Sequence, residues 1–422
     1  MGKTMSNSFV RLLGLMLIGA MMAACGGGSG EGRNGEDGKG SEGGGITSVS
    51  ITADNNKTIM GETYRLTWTI SGTGSCTVSG GMEETVIADG SAEISTNSLG
   101  DQKTTIDCGS ISASVTVNIL PEYISIPDDV FADALTRVGY EVIGGLMHAS
   151  HALSIEKLCI TGFYGAYGEP DSNSTVIFEN SSVPDNGVRC AYTPEGKYIT
   201  DTTGLEYFLN LKTMRLEFQQ VESIDISTLQ KLFFVSFWDN PLRDLDLSNN
   251  TAIVHLGLSE TSLTSIDTSN LPNLVEAAFQ HSTSSELPYT TPTGNVVYGF
   301  SSLDFSKNQK LERVYLIGNP LIDLGISNNQ NSLRELWASG TQVEVLDLAA
   351  FQHLNYIILS DSKNLRYLNT YGVNNNTVPY RFYCENCPRL SEIVVYSASA
   401  YEAARGRDGI HLDEHIMFVD GP

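Results

Sequence analysis

The sequence predicts an α+β repeat solenoid preceded by a small all-β sandwich. Three observations predict it. Apolar residues recur at a spacing of 21 to 22 between residues 211 and 396, and sustained self-similarity at such a period marks a stacked-coil architecture. Residues 46–120 are rich in Thr, Ser, Val and Ile and alternate apolar with polar, the period of half-buried strands. The first 45 residues carry neither pattern.

The N-terminus concerns the compartment rather than the fold. Lys3 and Arg11 make a short basic region and residues 12–24 an apolar run, shorter than the roughly 20 residues that span a bilayer. The run ends at Met22-Ala23-Ala24-Cys25, small residues before a cysteine, as in an export signal that is removed. The pattern resembles the lipobox of bacterial lipoproteins, with Met22 in the usual Leu position; the resemblance implies that residues 1–24 are cleaved and that Cys25 carries the lipid, which would be the chain's one attachment to a membrane. Gly26 after that cysteine implies, by the same resemblance, delivery to the outer membrane. An ordinary secretory signal is the alternative. Residues 25–45, almost entirely Gly, Ser, Glu, Asp and Asn, cannot bury apolar surface and read as a flexible tether.

The formal charge is −24, and an acidic exterior repels the phosphate backbone of nucleic acids, which bind through Lys and Arg. Nucleic acid is therefore not expected as a partner. Besides Cys25 there are six cysteines, Cys76, Cys108, Cys159, Cys190, Cys384 and Cys387. In an exported chain an even set falling in sequence-local pairs favours three disulfides, 76–108, 159–190 and 384–387, although spacing alone leaves connectivity open.

Within residues 46–120, Tyr64, Leu66, Trp68 and Ile70 share one face of a strand, as do Ile111, Ala113, Val115, Val117 and Ile119. Turns such as Gly72-Thr73-Gly74 and Gly80-Gly81 separate the runs, which predicts several short strands in two layers. The tryptophan strand running into Cys76, Thr105-Ile106-Asp107-Cys108 and the closing Ala113-Ser114-Val115-Thr116-Val117 resemble bacterial immunoglobulin-like domains. That resemblance implies a compact sandwich serving as a stalk or an adhesive module; with no polar constellation in it, a spacer is expected.

Residues 122–210 read as an N-terminal cap with an inserted loop at 162–201, and residues 397–422 as a C-terminal cap or tail. Phe131, Leu135 and Val138 share a helical face suited to covering the first repeat. Between 211 and 396, Leu232, Val235, Phe237, Asn240, Leu242, Leu245 and Leu247 form one copy of the repeat. Leu311, Val314, Leu316, Asn319, Leu321, Leu324 and Ile326 form another. Seven or eight copies fit, interrupted near 282–299 and 371–379. The pattern L-x-x-L-x-L-x-x-N-x-L resembles the leucine-rich repeat. With the Ile126 to Leu135 segment and Gly204 to Leu211, the layout is similar to that of internalin-like bacterial surface lipoproteins. One copy cannot close a core, but stacked copies bury about six apolar side chains each, at roughly 1.5–3 kcal/mol apiece before conformational entropy.

The same register names a candidate surface. Side chains between the inward leucines of each strand line one concave face, and there the sequence places Phe234, Trp238, Tyr315, Trp337, Tyr356 and Tyr383. Large aromatics on a face expected to meet water mark an interaction site; the alternative is that the inserts cover them as core. Asp225, Asp246, Asp267, Asp304 and Asp347 form a further column, able in principle to collect calcium, although turn capping is the expected role.

Catalytic patterns are sparse. His411-Leu412-Asp413-Glu414-His415 matches H-x-x-E-H, the inverted zinc-protease motif, which needs a helix and a third ligand further along the chain, yet only seven residues follow His415. Cys384-Glu385-Asn386-Cys387 matches C-x-x-C, but inside a repeat strand rather than at a strand-to-helix junction. The expectation is a non-enzymatic, monomeric, lipid-anchored binding module for a protein or glycan at the cell surface, without cofactor or metal. A structural envelope lipoprotein facing the periplasm is the alternative, and a zinc hydrolase using His411, Glu414 and His415 a distant one.

Overall fold

The computed structural model describes residues 45–162, 190–282 and 287–421. Cys25, the signal segment, all but the last residue of the tether and most of the insert at 162–201 lie outside the described residues.

Two antiparallel-rich sheets enclose the first core. One contains Ser48–Ala53, Thr63–Ser71 and Gly90–Ser95; the other contains Lys57–Ile59, Ser112–Leu120, Gly100–Asp107, Cys76–Gly80 and Glu84–Val86 in that order. Tyr64, Leu66 and Trp68 from the first meet Val78, Ile106, Val117 and Ile119 from the second, as period-two alternation requires. The Trp68 indole N–H donates to the Ala88 carbonyl at 3.0 Å, so its buried ring leaves no stranded donor. Cys76 and Cys108 are disulfide-bonded. They join neighbouring strands of one sheet, not the two layers, because Thr77 faces Asp107 in the register.

The sandwich runs directly into the second core, where Ile59 packs with Ile124 and Ile126. Helix α1 (Asp129–Arg137) is capped by Asp128, one carboxylate oxygen of which accepts from the Val130 and Phe131 amides at 2.9 Å each. The other oxygen accepts from the Thr200 and Asp201 amides, so one side chain starts the helix and ties the segment after the insert to it. Phe131, Ala134 and Leu135 are buried against this core, with Val138 partly so.

An 11-stranded sheet follows, and every pairing within it is parallel. Together with one inward-facing leucine-type column per strand, this is a leucine-rich-repeat solenoid. The sheet extends beyond both ends of the sequence repeat. Lys157–Thr161 and Ala191–Tyr192 precede Thr213–Glu217, and Ile410–Leu412 follows Arg381–Cys384. Those outer strands lack the full leucine pattern, which is why the sequence reads them as caps; they pair because the neighbouring coil offers an unsatisfied edge. A second disulfide, Cys159–Cys190, closes the first two strands of the sheet. The second apolar pair of each repeat becomes strand only in the later coils, as Val345–Asp347, Tyr367–Asn369, Glu392–Val395 and Met417–Asp420, a parallel four-stranded sheet. Helix α2 (Ala398–Ala404) packs there through Tyr401.

Polar side chains satisfy the turns between coils. The Asn240 amide donates to the Leu216 carbonyl of the previous coil (2.8 Å) and to Phe237 (3.1 Å). Asn319 does the same to Phe279 (2.7 Å) and Leu316 (2.9 Å), and its oxygen accepts from the Phe300 amide (2.7 Å). A second ladder, not singled out from the sequence, uses Asn250, Asn308 and Asn329 on the opposite wall. In seven coils the residue immediately before the Asn column adopts positive φ, namely Phe218, Asp239, Glu260, Gly318, Gly340, Asp361 and Asn386, whereas His281, in the coil that precedes the insert, does not. The chain leaves the strand there by a left-handed turn that costs non-glycine residues energy; recurrence at one register shows that coil closure imposes it.

Asn319→Ala strands the Phe279 carbonyl and the Phe300 amide, while Leu316 keeps the bond from the residue-319 backbone amide, and each uncompensated group costs about 1–3 kcal/mol. The expected outcome is a clearly lowered urea midpoint, while replacing the exposed Asn331 leaves it unmoved. An unchanged midpoint for Asn319→Ala would refute the ladder's role.

Candidate functional site

The concave face is the outward side of the 11-stranded sheet. Cross-strand registry places Phe234 opposite His255 and then Glu276, Arg313, Glu335, Tyr356 and Arg381. Beside this row run Arg215, Ser236, Gly257, Ala278, Tyr315, Trp337, Ile358, Tyr383 and His411.

The six aromatics share this face but not one environment. Trp238, Tyr315, Trp337, Tyr356 and Tyr383 are partly exposed. Phe234 departs from the expected exposure: it is 7% exposed, because the Arg215 guanidinium sits 4.8 Å over its ring and His255 packs 5.9 Å from it. Tyr315 and Trp337 meet edge to face at 5.1 Å. Tyr383 meets His411 the same way at 4.8 Å, and Tyr356 lies 5.5 Å from the exposed Tyr380. Trp238 stands 5.1 Å from Phe218. Two clusters result, one in the middle coils and one toward the C-terminal end.

Between Arg215 and Tyr315 the column drops to Ser236, Gly257 and Ala278, and these small residues floor a hollow of about 170 Å³. Phe234, Trp238, Tyr315 and Trp337 wall it, with Glu217, His255 and Glu276 beneath. The hollow was not among the features read from the sequence, which were the aromatics that project. The signal was present in the three successive small side chains at one register.

Several charged groups of the face are paired. Arg313 Nε donates to Glu276 Oε2 at 2.7 Å, and His255 lies 3.8 Å from the same oxygen. Burial opposes charge on Glu276, yet His255 and Arg313 together outweigh it and hold its carboxyl below the ordinary 4.5. Ser236 donates to Glu217 at 2.5 Å, and the Tyr315 hydroxyl donates to Glu335 at 3.3 Å. Burial raises Tyr315 above its usual range, and the Glu335 and Glu276 charges raise it further. Burial likewise raises Glu335, against the pull of Arg313.

The insert near 282–299 flanks this face. Its hairpin, Tyr289–Thr290 with Val296–Val297, is tied to the turn edge: Thr291 and Thr293 hydroxyls each donate to Asp239 at 2.8 Å. Asn295 donates to the Asp239 carbonyl at 2.7 Å, Ser262 to Val296, and Tyr289 to Glu260. Burial raises the Asp239 carboxyl even against the three side-chain hydrogen bonds it receives. Among the described residues of the insert, none lines the hollow.

The other sequence-derived candidates fall elsewhere. Each carboxylate of the aspartate column accepts from the amide two residues on: Asp225 from Ser227, Asp246 from Ser248, Asp267 from Ser269, Asp304 from Ser306 and Asp347 from Ala349, at 2.8 to 3.0 Å. The first four are depressed by these serine contacts, which is turn capping. Among the described residues no group of three His, Cys, Asp or Glu is placed to hold a metal. The H-x-x-E-H segment is strand Ile410–Leu412 followed by a turn, so the helix face that would align His411 with His415 is not formed. Asp413 within it accepts from the Asn386 and Cys387 amides. Cys384 and Cys387 are disulfide-bonded and buried.

No protein-family model matches the chain, and no curated protein does. Solved structures that match include the functional domain of InlJ from Listeria monocytogenes, at 17% identity over 65% of this chain, TM-score 0.39. The chain spans 58% of the length of that InlJ domain. Internalin C2 of Listeria monocytogenes matches at 15% identity over 70% of this chain and 94% of its own, TM-score 0.38. A leucine-rich-repeat protein of Leptospira interrogans matches at 16% identity over 53% of this chain and 71% of its own, TM-score 0.25. These likenesses concern the repeat architecture only.

Trp238→Ala combined with Trp337→Ala is expected to shift stability by less than about 1 kcal/mol, whereas Phe234→Ala alone costs about 3 kcal/mol, as a buried ring does. Urea midpoints check both, and a large loss in the double variant would make those tryptophans core. The aspartate column predicts a pH effect of definite sign. A carboxyl depressed by folding stabilises fully above its unfolded value, ordinarily 3.8, and loses that contribution as pH falls through the lower folded value. Replacing Asp225, Asp246, Asp267 and Asp304 together by Asn should therefore shrink the loss of stability between pH 6 and pH 2.5; an unaltered loss would remove these aspartates from the acid response.

Proposed function

We propose that this chain is a non-catalytic binding module for a protein partner, presented at the bacterial cell envelope by a lipid on Cys25. The observation that carries the reading is the concave aromatic row. Five partly exposed aromatics and a preformed hollow stand on rigid parallel strands, and rings of this kind in desolvated settings dominate interface energetics. The charged groups beneath hold fixed positions through their mutual pairing, so little side-chain entropy remains to be lost on association. The residues 25–45 serve as a tether, and the sandwich, read as immunoglobulin-like, as a stalk that holds the solenoid away from the bilayer. Outer-membrane delivery with external display fits the signal, the three disulfides and the acidic exterior.

Crosslinking on living cells tests the binding reading, comparing the parent chain with the Trp238→Ala, Trp337→Ala variant at matched abundance. A discrete crosslinked product that the double variant fails to form is expected; products identical in both would refute the concave face as the contact surface. Protease treatment of intact cells tests display, since cleavage without lysis is expected, and full protection would favour a protein facing the periplasm. Loss of labelled fatty acid in Cys25→Ser checks the anchor.

A further inference from the structure

The hollow over Gly257 and Ala278 has a chemistry more specific than an apolar dent. Three successive strands, about 4.8 Å apart, present Ser236, Gly257 and Ala278, with bulky Arg215 and Tyr315 on either side. Its volume of about 170 Å³ suits one planar side-chain head, since a cavity of roughly 150 Å³ holds a benzene ring. Tyr315 and Trp337 stand perpendicular at 5.1 Å and make a corner of ring face and ring edge, with Trp238 on the opposite wall. Two carboxylates, Glu217 and Glu276, line the site with Arg215 and His255; Glu335 accepts from the Tyr315 wall, with Arg313 and Arg381 as its neighbouring cations. Of these, Arg313 is bound to Glu276, and Arg215 lies over Phe234 at the end away from Tyr315. The chain as a whole carries a net charge of −24, and at the Tyr315–Trp337 corner the Tyr315 hydroxyl is held against the Glu335 carboxylate.

We propose that this hollow receives the guanidinium head of an arginine side chain from the protein partner. Aromatic faces attract cations through the ring quadrupole, and a planar guanidinium stacks on rings while presenting donors to a carboxylate. Glu335 is placed to accept them, its oxygen being held beside the ring corner by the Tyr315 hydroxyl. The Arg215–Phe234 pair displays the same interaction inside the chain. A sugar ring would need several free donors and acceptors around it; here Glu276 is engaged by Arg313 and Glu217 by Ser236. The inference rests on the concave face being the partner-binding surface.

Calorimetric titration of the folded chain with acetyl-Gly-Arg-Gly-amide, and with the same peptide carrying citrulline, the neutral near-isostere, tests it. The arginine peptide is expected to bind about tenfold more tightly than the citrulline peptide, the order of a partly desolvated cation–π contact. Ala278→Leu, which fills the floor, should abolish binding, and Glu335→Gln should reduce the preference for arginine; circular dichroism checks that both remain folded. Equal binding of the two peptides, no binding of either, or tighter binding of methyl glycosides than of the arginine peptide would overturn the proposal. Arginine-selective binding in the parent with cell crosslinks indifferent to the tryptophans would keep the hollow and remove the broader reading. Tryptophan-dependent crosslinks without peptide selectivity would do the reverse.

Discussion

Each coil of this chain carries a strand whose edges and apolar face have no partner within the coil itself. The stack resolves both at once: parallel pairing with the coil before and after satisfies the strand edges, and the leucine columns meet in one continuous core. Where the backbone turns away from the strand its carbonyls would be buried unpaired, and the Asn columns fill that need. The amides of Asn240 and Asn319 each bridge two coils. The left-handed residue before that column recurs for the same reason, since the chain must turn at one point to return behind the sheet. Position in the coil therefore determines burial, and burial determines which residue types can carry function.

The concave face follows from this constraint. Strands fixed in register turn the sequence offset of a repeat into a lateral step of one strand. Arg313 and Glu276, 37 residues apart, thereby become direct neighbours at 2.7 Å, because the insert between them leaves the sheet and returns to the turn edge at Asp239. The solenoid accommodates such an excursion without losing registry, since each coil contacts only its neighbours. The described polar residues of the insert are spent on the turn edge, and none of its described residues lines the aromatic hollow.

Much of this was legible before any coordinates. The leucine spacing marked the stacked coils, the local cysteine pairs matched the three disulfides, and Phe131 with Leu135 fell on the buried face of helix α1. The sequence placed six aromatics on the outward face without the relief of that face. Phe234 is buried at the face because Arg215 and His255 close over it; no periodicity announces that a neighbour in the adjacent column will fold down. The terminal strands Lys157–Thr161 and Ile410–Leu412 were missed because an edge coil needs fewer apolar positions than one covered on both sides.

What the sequence by itself determined is the period, and with it which side chains face the core, which face outward and where each coil turns. Those are local properties, set by the alternation of a strand and by residues that tolerate or cap a turn. What only the tertiary structure decided is the depth of the outward face: the hollow at Gly257 and Ala278, the paired charges under it and the insert lying beside it. Depth depends on how large and small side chains from successive coils lean on one another across the sheet. That contact is made between residues a repeat or more apart, and it exists only once the strands stand side by side.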